Sequence, residues 1–237
     1  MAEPVALEDL SEALGIGDSE HIALVGGGGK STLLHALGRQ LAGSRILTTT
    51  TKMGRDQHEG LQVLLSPAAH EAIEAAQKCP VIVWSSISGK SALGVDPQDC
   101  DSWVNGVDYI IVEADGARMR PFKAPNPREP VVPSKATLML SVIGSDALGQ
   151  AIEEQCHRPQ LVAELAGCQI EDPLTPERAA EVILHSEGAV GKKPQAAKLA
   201  VVITKVTGET RSLAEELAAR LERRVPGLLV VLVKLDR

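Results

Sequence analysis

The chain alternates between short apolar runs and stretches whose apolar residues recur at helical spacing. Uninterrupted apolar or β-branched runs are typical of strands, whereas apolar residues three or four positions apart are typical of helices. The runs predict strands at 22–25, 45–49, 61–65, 81–85, 108–113, 137–143, 199–204 and 228–233. The helical spacing predicts helices at 5–14, 31–42, 67–78, 175–187 and 209–224.

Several predicted strands are apolar along almost their whole length, as at 109–112 and 199–203. Such strands are buried on both faces, which is characteristic of a parallel sheet covered by helices on either side. The alternation of strands and helices therefore predicts an α/β fold with a mostly parallel, doubly wound sheet in three layers. Ligands of such sheets bind beyond the carboxyl ends of the strands, so functional residues should follow strands.

Length and charge narrow the class of protein. The 237 residues suit a single α/β domain over 1–237, with a short N-terminal helix and a proline-rich insertion at about 117–135. A net charge of −7 argues against binding to nucleic acid or membrane surfaces. No apolar stretch approaches the roughly 20 residues that span a bilayer, and the N-terminal segment is too acidic for a signal peptide. We therefore expect a cytoplasmic protein.

A run of four glycines, a lysine and two hydroxyl residues joins the first predicted strand to the next helix. Glycines let backbone N–H groups approach phosphate oxygens, and the helix N-terminus favours an anion. A lysine here can reach the β- and γ-phosphates, and the serine after it can bind Mg²⁺. The pattern therefore predicts a site for ATP or GTP with Mg²⁺, formed by Gly26, Gly27, Gly28, Gly29, Lys30, Ser31 and Thr32.

This glycine loop is shorter than the Walker A loop, because Leu24 stands where G-x-x-x-x-G-K-[ST] requires its first glycine. It fits G-x-x-G-K-[ST]-[ST] at every position, a pattern similar to the compact phosphate loops of Mur-type ligases. With the alternating strands it predicts a sandwich like that of P-loop NTPases. The alternative is a glycine-rich turn that binds no ligand.

A second motif, Glu113-Ala114-Asp115-Gly116, follows the predicted strand at 108–113. The Glu113 carboxylate could hold Mg²⁺, Asp115 could orient an attacking water, and the Gly116 N–H could contact the γ-phosphate. Lys30, Glu113 and Asp115 are therefore the predicted catalytic residues. Acidic residues at strand ends also serve as helix caps, which is the alternative interpretation.

A run of threonines at 48–51 also follows a predicted strand. Its hydroxyls could complete the Mg²⁺ shell, and spacing does not decide which of them acts. Thr49 is the candidate that joins Ser31 and Glu113 as predicted metal ligands. Threonine is also common in ordinary strands, so the run has a purely structural interpretation as well.

Thr204 and Lys205 follow the strand predicted at 199–204 and are candidate nucleotide contacts. They occupy the position of the base-reading N-K-x-D motif of GTPases, in which an aspartate selects guanine. Thr207 stands where that aspartate would be. ATP and GTP therefore both remain open.

The segment from Pro121 to Pro133 contains five prolines and can form neither helix nor central strand. It is either a rigid surface linker or a loop that brings basic residues to an anionic ligand. Such a loop would carry Arg118, Arg120, Lys123 and Arg128 toward the ligand. The candidate residues for an acceptor pocket are Arg118, Arg120, Lys123 and Arg158.

Several of these motifs together resemble the YqeC family: the sequences at 26–32, 48–53, 112–118, 123–125, 129–133, 146–149, 157–159 and 204–206. Members of that family are described as accessory proteins of selenium-dependent molybdenum hydroxylases. The resemblance implies a role in maturing such an enzyme. It also implies a molybdenum hydroxylase, or its cofactor-maturation proteins, as partners.

Three functions are compatible with these predictions. The first is a Mg²⁺-dependent NTPase whose hydrolysis drives maturation of a metalloenzyme. The second is a small-molecule kinase or ligase, in which the basic residues form a pocket for an anionic acceptor. The third is a nucleotide-gated chaperone that delivers a cofactor with little turnover of its own.

Overall fold

The computed structural model of the chain describes residues 3–234. Its strands are β1 (Glu20–Gly26), β2 (Arg45–Thr49), β3 (Lys52–Gly54), β4 (Gln62–Leu65), β5 (Val81–Trp84), β6 (Ser86–Ser88), β7 (Ser91–Leu93), β8 (Tyr109–Glu113), β9 (Phe122–Lys123), β10 (Leu138–Gly144), β11 (Cys156–His157), β12 (Lys198–Thr204) and β13 (Leu229–Leu232). Its α-helices are α1 (Leu10–Ala13), α2 (Lys30–Gln40), α3 (Ala69–Ala76), α4 (Pro97–Trp103), α5 (Ile152–Gln155), α6 (Pro159–Ala166), α7 (Pro176–Leu184) and α8 (Arg211–Arg224). Single 3₁₀ turns lie at Leu7–Asp9, Ser145–Ala147 and Val190–Lys192.

The central sheet has eight strands in the order β13-β12-β10-β1-β8-β2-β5-β4. Every neighbouring pair in it is parallel. These eight strands correspond to the eight that the apolar runs predict, and the predicted α/β class with a parallel sheet is confirmed. The strand that leads into the glycine loop, β1, lies in the middle of the sheet between β10 and β8.

Helices cover both faces of this sheet, because alternate residues of each strand point to opposite sides. Val202 packs in a cluster with residues of α1 and α2, whereas its neighbour Val201 packs with residues of α7 and α8. A further cluster on the second face joins α3 and α4 to β2, β5 and β8. The fold therefore has the predicted three layers. None of the helices between residues 3 and 234 has the length and apolar character needed to cross a lipid bilayer.

The apolar pattern misses α4, α5, α6 and the short strands outside the central sheet. Helix α4 contains few apolar residues, and it is fixed by the capping side chain of Asp96 and the proline at its first position. Strands β3, β7 and β6 form a small antiparallel sheet in which every residue of β6 is exposed, so no apolar run marks it. The proline-rich segment contributes only β9, which pairs with β11 outside the central sheet.

His21, at the start of β1, makes the stability of the fold depend on pH. It is buried, and burial lowers the pKa of its ring from 6.5 to about 4, although Asp101 at 4.0 Å opposes this. Below pH 6.5 the unfolded chain therefore binds a proton that the folded chain does not. Stability should fall by up to about 3 kcal/mol between pH 6.5 and pH 4, since one pKa unit corresponds to about 1.4 kcal/mol.

The His21→Gln variant should lose most of this slope in urea unfolding measured at a series of pH values. The exposed His70→Gln variant serves as the control and should keep the slope of the natural protein. An unchanged slope in His21→Gln would show that other groups cause the pH dependence.

Candidate functional site

The four glycines form the bend between β1 and α2, and close backbone contacts explain why they are glycines. Gly28 and Gly29 have positive φ angles of 79° and 121°. A Cβ on Gly27 would lie 2.5 Å from the carbonyl oxygen of Arg120, and one on Gly28 would lie 2.1 Å from the amide nitrogen of Gly144. Neighbouring backbone therefore requires glycine here before any ligand is considered.

Three amides of the glycine loop are used within the protein. The Gly26 N–H donates to both carboxylate oxygens of Asp115, at 3.1 and 3.0 Å. The Gly27 and Gly28 N–H groups donate to backbone carbonyls at 2.9 and 3.2 Å. Of the four glycines, only Gly29 therefore has an N–H group without an acceptor among residues 3–234, and the predicted contacts of Gly26, Gly27 and Gly28 with a phosphate stay predictions. The sequence shows where the glycines are, but it does not predict which acceptor each glycine N–H group has.

The amides that remain available lie at the first turn of α2. The N–H groups of residues 29–32 have no hydrogen-bond acceptor within the described range 3–234. They line a cavity of about 520 Å³. Unpaired N–H groups at a helix N-terminus, together with the helix dipole, form a site that favours an anion. The residues of the predicted phosphate loop that face this cavity are Gly28, Gly29, Lys30, Ser31 and Thr32.

The glycine loop and the end of β8 meet at this cavity. The Ser31 hydroxyl donates to Glu113 Oε2 at 2.8 Å, and Glu113 lines the cavity although its side chain is almost completely buried. The pairing of β1 with β8 brings these motifs together across 82 residues of chain. No group of three or more His, Cys, Asp or Glu in the part of the chain described here could hold a metal alone. A Mg²⁺ ion would need phosphate oxygens and water in addition to Ser31 and Glu113, which is its usual coordination at nucleotides.

Lys30 is buried between two carboxylates. Its Nζ atom donates to the Gly26 carbonyl at 2.7 Å and lies 3.2 Å from Asp115 Oδ1 and 3.6 Å from Glu113 Oε1. A bound phosphate would compete with these carboxylates for the lysine ammonium. The geometry therefore holds Lys30 at the edge of the cavity, paired with two carboxylates.

Asp115 and Lys123 form a buried ion pair next to the glycine loop. The sequence predicts Asp115 as the group that orients a water molecule and Lys123 as a contact of an anionic ligand. Asp115 is only 2% exposed, its Oδ2 atom lies 3.0 Å from Lys123 Nζ, and it does not line the cavity at the loop. Lys123 also donates to the Gly116 carbonyl at 2.7 Å. Burial lowers the pKa of Lys123, while the charge of Asp115 partly opposes that shift. Lys123 is therefore paired within the protein and lines neither cavity that the arginines line, and Asp115 contacts Lys30 and the Gly26 amide. The predicted roles of Lys123 at an anionic ligand and of Asp115 at a water molecule stay predictions.

The threonine run at 48–51 holds strand ends together. The Thr49 hydroxyl donates to the backbone carbonyl of Glu113 at 2.8 Å, not to its carboxylate. Thr48 donates to the carbonyl of Val83 at 2.6 Å, and Thr50 to that of Val131 at 2.8 Å. Thr49 thus adjoins the proposed metal ligands through backbone, and its own role as a ligand stays a prediction.

Thr204 and Lys205 lie on the other side of the glycine loop. The buried Thr204 hydroxyl donates to the carbonyls of Gly28 and Ile143, so it supports the loop from behind and does not line the cavity. Lys205 does line the cavity, and its ammonium pairs with Asp146 at 2.8 Å. Of these two predicted nucleotide contacts, only Lys205 is therefore positioned to touch a ligand.

The predicted anion-binding arginines divide between two cavities. Arg118 and Arg120 line both the cavity at the glycine loop and a neighbouring cavity, whereas Arg158 lines only the neighbouring one and is paired with Glu129. Arg128 is exposed and lines neither. Sequence reasoning gave no role to the residues that the β3 segment adds to the cavity wall. These are Lys52, Met53, Gly54 and Gln57. Their sequence signals are their position directly after the threonine run and, for Lys52 and Met53, the family resemblance at 48–53.

Two comparisons with known proteins bear on this site. A family model described as YqeC protein matches residues 22–160, a range that includes the glycine loop, Glu113 and Arg158. A protein of Escherichia coli (strain K12) that carries the name "Uncharacterized protein YqeC" is 32% identical over 183 residues. That match covers 73% of this chain and 71% of the relative. The chain therefore belongs to the YqeC family.

Proposed function

We propose that the chain binds a nucleoside triphosphate together with Mg²⁺ and hydrolyses it. The observation that carries this proposal is the 2.8 Å hydrogen bond from the Ser31 hydroxyl to the Glu113 carboxylate, beside the unpaired amides of residues 29–32. A hydroxyl, a carboxylate, a lysine and free helix amides are the groups that P-loop nucleotide sites combine. Here they border one cavity, whose volume of about 520 Å³ falls in the range of small-molecule sites.

Each side chain has a distinct role in this proposal. The bound Mg-nucleotide supplies the phosphoryl group that is transferred to water. The amides of residues 29–32 hold phosphate oxygens, and Lys30 neutralises their negative charge. Ser31 and Glu113 hold the metal, while the buried carboxylate of Asp115 keeps Lys30 in position. Phosphoryl transfer depends mainly on such positioning and charge stabilisation.

Mg²⁺ should increase the affinity for nucleotide about tenfold less in Glu113→Gln than in the natural protein, because a neutral amide is a weaker ligand for a hard cation than a carboxylate. The substitution keeps the shape of the side chain and an oxygen that can accept from Ser31. Titration calorimetry with ATP and with GTP, each with Mg²⁺ and with a chelator, measures the effect. The exposed Glu164, which lines neither the nucleotide cavity nor the neighbouring cavity that contains Arg158, provides a matched Glu→Gln control. Equal Mg²⁺ dependence in both variants would remove Glu113 from the metal site.

Hydrolysis is tested by the release of inorganic phosphate from ATP and GTP under multiple-turnover conditions. We expect turnover that requires Mg²⁺ and is absent in Glu113→Gln. The same assay gives the base preference. Tight binding of the Mg-nucleotide without release of phosphate would contradict hydrolysis but leave the binding site intact.

We infer the biological role from the YqeC resemblance. Family membership favours a role in maturing a selenium-dependent molybdenum hydroxylase, with that hydroxylase or its cofactor-maturation proteins as partners. The nucleotide site fits such a role, since hydrolysis can drive a handover between proteins. Co-purification of the hydroxylase with this chain in the presence of Mg-nucleotide, and its loss without nucleotide, is the expected result. Equal co-purification with and without nucleotide would show that nucleotide binding is not coupled to the association of the two proteins.

A further inference from the structure

A second cavity adjoins the nucleotide cavity. It has a volume of about 690 Å³ and shares Gly116, Arg118 and Arg120 with the cavity at the glycine loop. Its remaining wall comes from the segment around β11, the first residue of α6 and the proline-rich segment. The side chains that decide its chemistry are Arg118, Arg120, Arg158, Glu129, Glu153, Cys156 and His157.

The three arginines of this second cavity keep most of their hydrogen-bonding capacity. Arg118 is exposed and has no hydrogen bond or ion pair to any of the residues 3–234. Arg120 donates to the backbone carbonyl of Glu154, and Arg158 donates to Glu129 and to the Ala124 carbonyl. A guanidinium group has five N–H donors, so each of the three can still bind an acceptor.

The acidic and neutral groups of the second cavity leave it with a positive excess. Two carboxylates, Glu129 and Glu153, face the three arginines, and Glu129 is already shared between Arg158 and the buried Lys123. Burial alone would raise the pKa of Glu129, but the hydrogen bond from Arg158 and the charge of Lys123 outweigh it and lower the pKa. Burial and the charges of Arg158 and Lys123 lower the pKa of His157 to about 4, so the ring is neutral near pH 7.

We propose that this second cavity binds a small molecule that carries a phosphate group, next to the phosphates of the nucleotide. Arginine is the side chain best suited to this ligand, because its planar fork matches two oxygens of a phosphate at once. That this ligand lies beside a nucleotide rests on the proposed function, whereas the binding of a phosphate group in the second cavity does not. The volume leaves room for an organic group attached to the phosphate.

Backbone strain marks the same wall. Arg118, Met119 and Arg158 have φ angles of 49°, 62° and 62°, in the left-handed region that non-glycine residues seldom occupy. Such strain persists where the surrounding structure enforces it, and it is concentrated at functional sites. The segment 116–120 forms part of both cavities, so a ligand in one is in contact with the wall of the other.

The test is a titration of the full chain with inorganic phosphate, and with glycerol 3-phosphate as an organic phosphate ester. It is carried out on Lys30→Ala, in which phosphate binding at the glycine loop should be about 100-fold weaker, so that binding at the second site dominates. We expect both probes to bind, the ester more tightly. Adding Arg158→Gln should weaken binding about tenfold or more, and adding Arg118→Gln should do the same. Adding Arg128→Gln should have no effect, because Arg128 is exposed on the same proline-rich segment and lines neither cavity.

The outcomes separate this inference from the proposed function. Phosphate binding that is unchanged by both Arg158→Gln and Arg118→Gln would overturn the second site, as would no binding of either probe at about 10 mM. Arg118 is exposed and unpaired, so its substitution tests the site even if Arg158→Gln disturbs folding. A nucleotide affinity that Lys30→Ala leaves unchanged would instead contradict the proposed nucleotide site. In that case the comparison of the arginine variants still decides the second cavity.

Discussion

Alanine at position 30 should weaken the binding of Mg-ATP or Mg-GTP by about 100-fold or more. Lys30 is the buried cation at the edge of the cavity, with Nζ 3.2 Å from Asp115 and 3.6 Å from Glu113. Without it, phosphate oxygens lose a charge-assisted hydrogen bond and meet two carboxylates that are less well neutralised. A charged hydrogen bond contributes about 1.5–3 kcal/mol, and each 1.4 kcal/mol is tenfold in affinity. Titration calorimetry measures the change.

Lys52→Ala is the matched control for this experiment, since Lys52 is an exposed lysine that lines the same cavity. It should change the nucleotide affinity by much less, because an exposed charge interacts weakly through water. Thermal unfolding of both variants establishes that they are folded at the temperature of the titration. Equal affinities of Lys30→Ala and the natural protein would refute the proposed site.

The architecture that brings Lys30 and Glu113 together could be predicted from the sequence because its signals are local. Apolar runs mark all eight strands of the central sheet, and the residues that follow β1 and β8 are recognisable as a glycine loop and an acidic strand end. Parallel strands place their carboxyl ends at one edge of the sheet, which predicts that the two motifs approach each other. The order of the strands was not predictable from periodicity, and it is this order that makes β1 and β8 neighbours.

The partners of individual polar groups could not be predicted, because they depend on contacts between distant segments. Nothing local to Lys123 indicates that Asp115 and Glu129 surround it, or that its side chain is 1% exposed. Likewise, the glycine run does not reveal that the Gly26 amide is already bonded to Asp115. A basic residue after an acidic motif therefore looks the same in sequence whether it faces a ligand or completes a buried ion pair.

The Lys123→Met variant should lower the free energy of unfolding by about 3 kcal/mol or more. The variant keeps the length and apolar stem of the side chain but removes the charge 3.0 Å from Asp115 and the donor to the Gly116 carbonyl. Removing one partner of a buried ion pair lowers the free energy of unfolding by about 3–5 kcal/mol, because the remaining charge is left in a medium that solvates it poorly. Lys30 still neutralises Asp115 in part, which favours the lower end of that range. Urea unfolding at pH 7 measures the loss.

A double-mutant cycle separates the ion pair from simple packing. Asp115→Asn removes the charge and keeps an oxygen that can accept from the Gly26 amide, so the double variant with Lys123→Met contains neither charge. We expect the double variant to lose at least about 1 kcal/mol less free energy of unfolding than the two single variants lose together. The reason is that residues in one network do not act additively. The exposed Lys198→Met variant controls for the loss of a surface lysine and should change stability by less than about 0.5 kcal/mol. Additive losses would mean that Lys123 acts through packing alone. In that case Asp115 would not belong to a buried charge network, and its assignment as the residue that positions Lys30 would fail.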